Sequence, residues 1–334
     1  MFGFKKSKKA TILAGLILCS SSIYKINADF SIDYPKNINE TSQYTKESDF
    51  EITADGTLKN YKGHEKRVII PNSVKQITFG TFMNRSEIEE IILPNSLEKI
   101  DEYAFYSCTS MEKINIPNNV KHIGRLAFGN CTKLKKANIG KSLEHIEEFI
   151  FWGCDSLENI SISSENEKFA SLNGLLYSKD YSNLEICPTG LKGIVSIPEK
   201  TKNISNYAFF NCKGIKEIQR PGNEPISIEE AAFYGCDNLN TLGFANFIES
   251  IESCAFAKCT SLQKFTIGKN MKNLGSSAFL GCKSLKTVIS LAENFKIGHN
   301  IFNSCPQIIA VLASKNSSMG KYVSKHPERL VLVV

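Results

Sequence analysis

The chain has 334 residues, 42% of them hydrophobic, with 40 Lys and Arg against 34 Asp and Glu and a formal charge of +6. Residues 1–28 hold five lysines and no acid, which leaves 35 basic against 34 acidic groups beyond them. Such a balance argues against nucleic acid or a strongly anionic surface as the main partner, because those need a clustered basic field.

In chain order, Lys5, Lys6, Lys8 and Lys9, an apolar stretch over residues 10–18 and Ile26-Asn27-Ala28 predict a signal peptide over residues 1–28. The apolar stretch is too short to span a bilayer as a stable helix. Cys19 follows the bulky Leu18 where a lipobox wants a small residue, so ordinary cleavage near Ala28 is expected. No later stretch is apolar enough to anchor the chain, so a secreted or cell-surface protein without membrane insertion is expected. Residues 29–49 are polar and read as a spacer. Asp55-Gly56 between two β-favouring runs predicts a hairpin, and with it an N-terminal cap over residues 50–67.

From residue 68 to residue 312 the chain repeats. Ala or Ile followed by Phe recurs at Phe105, Phe128, Phe151, Phe209, Phe233, Phe256, Phe279 and Phe302. Three residues after each stands a cysteine: Cys108, Cys131, Cys154, Cys212, Cys236, Cys259, Cys282 and Cys305. The phenylalanine interval is 23 residues, with one of 24 and one gap of 58. A period of this size marks a solenoid, whose units bury their apolar sides only by stacking.

The unit from residue 111 to 132 gives the rule. Met111, Ile114 and Ile116 predict one parallel β-strand per coil, stopped by Pro117, which has no N–H for the ladder. A second short extended piece is expected near Ile123, then a helical turn over residues 126–130. The 58-residue gap predicts a variant coil at about 163–194 carrying a projecting hairpin over residues 178–183. Residues 313–334 read as a C-terminal cap with a short helix over 319–325 and a closing strand over 330–334.

Eleven cysteines in an exported chain would ordinarily imply disulfides. Equivalent side chains on stacked coils lie about 4.7–4.9 Å apart and parallel, however, whereas a disulfide wants Cβ atoms about 3.5–4.5 Å apart and converging. The ladder cysteines are therefore expected as buried thiols whose S–H groups meet loop carbonyls. Cys187 and Cys254 stand off the ladder and read as packed free thiols.

Residues 97–117, Leu-Glu-Lys-Ile-Asp-Glu-Tyr-Ala-Phe-Tyr-Ser-Cys-Thr-Ser-Met-Glu-Lys-Ile-Asn-Ile-Pro, closely resemble the BspA-type leucine-rich repeat, the 23-residue class also called Treponema pallidum-type. Leu-Asn-Gly-Leu-Leu-Tyr-Ser-Lys-Asp over 172–180 resembles a variant coil of that family. The resemblance covers about residues 50–312 and implies a leucine-rich repeat solenoid. It further implies an exported or surface protein, in several members an adhesin for host matrix proteins or other cells. It carries over no functional residue, because the motif is structural.

The residues offer little chemistry. His64, His122, His145, His299 and His326 share no metal-ligand spacing and no C-x-x-C pair occurs, so no metal or cofactor is expected. Gly140-Lys141-Ser142 lacks the earlier glycine of a phosphate loop, and Gly275-Ser276-Ser277 continues into Ala278-Phe279 rather than a nucleophile elbow. What remains is surface. Lys113, Lys136 and Lys264 stand at outward strand positions, and Tyr106, Trp152, Phe210 and Tyr234 follow the repeated phenylalanines in a row interrupted by Gly129. Aromatic side chains are favoured anchors of protein interfaces, so these seven are the candidate partner-binding residues. The expected role is non-enzymatic recognition of a host matrix or neighbouring-cell protein; the alternative is a structural part of a surface assembly.

Overall fold

The computed structural model describes residues 45–308, 310–327 and 332–333, the last two as backbone. The predicted signal peptide, Cys19 and the spacer up to residue 44 lie outside the described residues. Among those described, no helix is long and apolar enough to cross a membrane.

Each coil lays down two short parallel strands and a tight turn. In Lys113–Ile116, Ile114 and Ile116 are buried while Lys113 is exposed and Asn115 half-buried, the alternation a pleat imposes. The chain bends at Pro117, and His122–Ile123 forms the second strand. Both strands pair with the next coil 23 residues on, Ile114 with Ala137 and Ile123 with Ile146. The extended piece expected near Ile123 is thus a second parallel ladder beside the one expected. The turn differs from expectation: over residues 126–130 it is not helical. Leu126 and Asn130 take φ of +53° and +57°, a left-handed backbone that a right-handed helix cannot contain.

The turns form a third ladder. The N–H of Phe105 donates to the Ala127 carbonyl at 2.7 Å, that of Phe128 to Ile150 at 3.0 Å, and that of Phe256 to Ala278 at 2.8 Å. Inside it the rings stack, with centroids 5.2 Å apart for Phe105 and Phe128 and 5.1 Å for Phe233 and Phe256. Phe82 extends the stack at 5.1 Å from Phe105, a member hidden in the sequence because Arg85 stands where its cysteine would be. The thiols explain the Phe-x-x-Cys spacing. Each Sγ reaches the phenylalanine carbonyl of the preceding coil: Cys108 to Phe82 at 3.2 Å, Cys131 to Phe105 at 3.2 Å, Cys154 to Phe128 at 3.1 Å. Cys236, Cys259, Cys282 and Cys305 do the same to Phe209, Phe233, Phe256 and Phe279. Burial pushes the thiols of Cys108, Cys236 and Cys259 up, which leaves them inert packing groups. All ten described cysteines are free.

The ends differ from the middle. Phe50–Ile52 and Thr57–Tyr61 form an antiparallel hairpin, turning at Gly56 with φ of +87°. Its second strand starts the parallel ladder by pairing Leu58 with Ile77. At the far end the helix Ser318–Ser324 is capped by Ser317, whose hydroxyl accepts from the Gly320 N–H at 3.1 Å. The Tyr322 hydroxyl accepts from the Ile301 N–H at 3.1 Å, and Leu332–Val333 pairs with Val311 and Leu312.

The variant coil interrupts all three ladders. Phe169–Leu172, Leu175–Ser178 and Asn183–Ile186 form an antiparallel meander, pinned at its start by buried Asn166, whose amide donates to the carbonyls of Lys141 and Leu143 at 2.9 Å each. At the tip of the hairpin Lys179 and Asp180 are exposed, whereas the strand leading to it is buried. Leu175, Leu176 and Tyr177 are buried, because alternate side chains of this strand fill the cores on its two sides. Leu176 joins an apolar cluster running from Phe50 to Ile162, while Leu175 and Tyr177 join a second running on to Val323.

The register shows what was added and what was lost. Ile160 to Leu184 spans 24 positions where Ile114 to Ile123 spans nine, so the meander adds fifteen residues. Leu184 to Val195 spans 11 where their partners Ile204 to Ile218 span 14, so the turn is three residues short. Cys187 also turns out to be in the ladder, contrary to expectation. Its N–H donates to the Ala208 carbonyl at 2.7 Å and its carbonyl receives the Cys212 thiol at 3.6 Å, the two bonds that spine phenylalanines make elsewhere. Cys254 takes the left-handed position before Phe256, with φ of +57°, and is half-buried.

Candidate binding surface

The outward lysines do not converge. Lys113 and Lys136 are register partners on adjacent strands, both exposed, whereas Lys264 lies in a separate sheet opposite Thr287. Beside the first two, Asn138 donates to Asn115 at 2.7 Å and accepts from the Ser161 hydroxyl at 2.8 Å, so this face satisfies much of its own polarity. Inter-coil ion pairs such as Lys135–Glu112 at 2.9 Å are exposed and contribute about 0–1 kcal/mol each. His122 and His145 also meet in register, but no group of three His, Cys, Asp or Glu among the described residues is placed to hold a metal ion.

The aromatic row splits in two. Tyr106 belongs with Tyr103 and Phe79 in the N-terminal coils, ring neighbours at 5.4 Å each. A Cβ on Gly129 would come within 2.8 Å of the Tyr106 ring, so the gap in the row is the space that ring uses. Trp152, 39% exposed, and Phe210, stacked on Tyr234 at 5.1 Å, lie farther on. Two aromatics that the sequence reading passed over join them across the variant coil. Phe149 packs 4.6 Å from Tyr207 and 5.4 Å from Phe210. Both occupy the left-handed position two residues before the spine residue, with φ of +62° and +60°, and that recurring offset was the signal available to find them.

The rings of Phe149, Trp152, Tyr207 and Phe210 wall a cleft of about 450 Å³ at the variant coil. One side is residues 146–152; the other is residues 183–189 with 203–210 and Glu229. The short turn and the small Cys187 at a phenylalanine position account for the space. Here the third ladder fails. The N–H groups of Phe149, Phe151 and Gly153, counterparts of Tyr103, Phe105 and Ser107, which donate to the next coil, have no acceptor among the described residues.

The lining contains four carboxylates and no Lys, Arg or His. Glu147 is already engaged, with His122 Nε2 at 3.2 Å and the Arg125 N–H at 3.0 Å. Glu148, Glu185 and Glu229 have no ion-pair partner among the described residues. Burial raises Glu185, and hydrogen bonds from the Ser205 hydroxyl, at 2.9 Å, and Asn183 offset this only in part. Burial raises Glu229 as well, reinforced by the negative charge of Glu252.

The coil geometry is that of a known repeat. The model of the BspA type leucine rich repeat region matches residues 59–173 and 190–309, in six copies. The chain belongs to the BspA-type leucine-rich repeat family. No curated protein sequence matches it. Among solved BspA-like structures, that of the pneumococcal vaccine antigen PcpA superposes with a TM-score of 0.61 at 23% identity, covering 80% of this chain and 79% of that one. A leucine-rich repeat protein from Eubacterium ventriosum superposes with a TM-score of 0.51 at 19% identity, covering 79% and 76%. Both likenesses concern the fold. The BspA-type match omits residues 174–189, and that interval holds one whole wall segment of the cleft, from Asn183 to Thr189. Glu185 and Cys187 thus lie outside the matched repeats, whereas Glu148, Trp152, Phe210 and Glu229 lie within them.

Proposed function

We propose that this protein is exported and acts without catalysis as a surface-exposed recognition module that binds protein, in adhesion to host matrix or to neighbouring cells. Residues 1–28 would be the signal peptide and 29–49 the spacer, with 50–67 and 313–334 closing the ends of a solenoid over 68–312. The observation that carries the reading is the cleft at the variant coil. Concave sites walled by aromatics with a few polar groups are where binding energy concentrates, and Trp152 stands in this wall with more than a third of its surface open to solvent. Membership of a repeat family supports it, since stacked coils present extended binding surfaces, and the PcpA fold relative is a vaccine antigen. Tyr106, Lys113, Lys136 and Lys264 stay outside the proposed contact, whereas Trp152 and Phe210 are central and Tyr234 backs Phe210.

The test is binding of the purified chain to a panel of immobilised extracellular-matrix proteins and to intact cells. Saturable binding to at least one is expected, reduced at least tenfold by Trp152→Ala with an unchanged thermal transition. Binding that never saturates, or that Trp152→Ala leaves intact, removes the reading.

A further inference from the structure

We propose that the cleft at the variant coil takes a basic side chain, best an arginine, presented by an extended segment of a partner polypeptide whose carbonyls accept from the free N–H groups of the cleft wall. This rests on the recognition reading above and names the chemistry of the partner.

Three observations converge on it. First, Glu148, Glu185 and Glu229 face a cleft that offers no cation, and no described ion pair involves them. Partly desolvating Glu185 and Glu229, both half-buried, without a counter-charge is unfavourable, and a bound cation would relieve that cost, with the exposed Glu148 adding its charge from the rim. Second, the walls are the rings of Phe149, Trp152, Tyr207 and Phe210. A planar guanidinium stacks on such faces while its N–H groups fork onto carboxylate oxygens, which an ammonium does less well. The molecule already uses this contact nearby, with Arg125 5.9 Å from the centre of the outer Phe149 ring and Lys258 Nζ 5.0 Å from that of Tyr234.

Third, the N–H groups of Phe149 and Phe151, both in the lining, lack the carbonyls that the next coil supplies elsewhere. Extended peptide backbone offers carbonyls at the spacing of a strand, so a polypeptide completes what the variant coil leaves open. A neutral sugar would stack on the rings but would leave the three carboxylates without a counter-charge. The volume of about 450 Å³ admits one long side chain and a few backbone atoms rather than a folded surface.

Trp152 is the only tryptophan of the chain, so its fluorescence reports on this cleft directly. The probes are an acetylated and amidated Gly-Gly-Arg-Gly-Gly peptide and its glutamine analogue, titrated into the full chain. The arginine peptide is expected to change the emission saturably, with an affinity at least tenfold above that of the glutamine peptide. The double variant Glu185→Gln/Glu229→Gln is expected to lose at least tenfold for the arginine peptide and nothing for the glutamine peptide. Equal response to both peptides, or an unchanged double variant, overturns the proposal. Should the double variant fail to fold, Glu148→Gln, which is exposed on the rim, replaces it, with a loss of about threefold expected and no loss overturning the proposal. Matrix or cell proteins that bind the double variant as tightly as the parent sink the cleft assignment while leaving the recognition reading intact. Arginine-peptide binding without any protein or cell binding upholds the cleft and sinks that reading.

Discussion

The coils between residues 97 and 154 and the variant coil that follows are built from the same parts and reach opposite ends of saturation. In the regular coils the spine residues are fully engaged. The phenylalanine stacks, its carbonyl receives a thiol, and its N–H meets the next turn. In the variant coil three turn residues are missing, a cysteine holds the phenylalanine's place, the wall opposite keeps three N–H groups without acceptors among the described residues, and the cleft between holds three carboxylates without cations. A repeat is insensitive to its individual members because each repeats its neighbour's contacts; binding groups gather where that consistency is broken.

Deleting a ring from the regular part should produce the largest effect. Phe256→Ala is expected to cost about 3–5 kcal/mol on chemical unfolding, since the ring is wholly buried between Phe233 and Phe279. Because the apolar core divides at the meander, Phe128→Ala should speed amide exchange over residues 97–154 and leave residues 203–282 near their parent rates. Exchange that rises evenly across both stretches would show that the two cores unfold as one.

Cys187→Ala tests the same ladder position inside the variant coil and should cost only about 1 kcal/mol, as a small side chain beside open space leaves little cavity. A loss as large as that of Phe256→Ala would mean that the variant coil is packed as tightly as its neighbours.

The smallest effect expected is a gain. Glu185→Gln keeps a hydrogen-bond partner for Ser205 but removes a half-buried charge, so the free protein should become slightly more stable at neutral pH. Burial raises this carboxyl, so the folded state holds its proton to higher pH than the unfolded chain does. The parent's stability relative to the variant is then greatest below the ordinary carboxylate range and falls as pH rises through the raised value. Thermal unfolding of the pair between pH 4 and pH 8 checks the sign; a parent gaining on the variant with rising pH would place Glu185 in a stabilising pair instead.

Much of the stack was legible because it is periodic. Phe105 through Phe302, with their cysteines, announce the spine, since a ring and a thiol at fixed spacing can only recur if coils repeat their contacts. Phe82 was missed because Arg85 breaks the pattern that flags the others. The left-handed turn at Leu126 and Asn130 was missed because such φ values are costly in isolation and are supported here by bonds that the turn's other residues make to neighbouring coils, Arg125 accepting from the Tyr103 N–H and Phe128 donating to Ile150. Among the candidate binding residues, Trp152 and Phe210 came together with Phe149 and Tyr207, and Tyr106 did not, because adjacency here depends on how many coils lie between them.

The amino-acid sequence alone determined the family, the direction of stacking and the identity of the interior, because each depends on contacts one period away. Where the stack comes apart was decided only in three dimensions. An insertion of fifteen residues and a deletion of three appear in sequence as a single gap of 58 between phenylalanines, and only the strand pairing separates them. That separation turns Cys187 into a spine residue, folds the meander between two cores, and brings Glu185, Glu229 and Trp152 to one cleft. Such distances are set by the register of backbone hydrogen bonds, which no local pattern records.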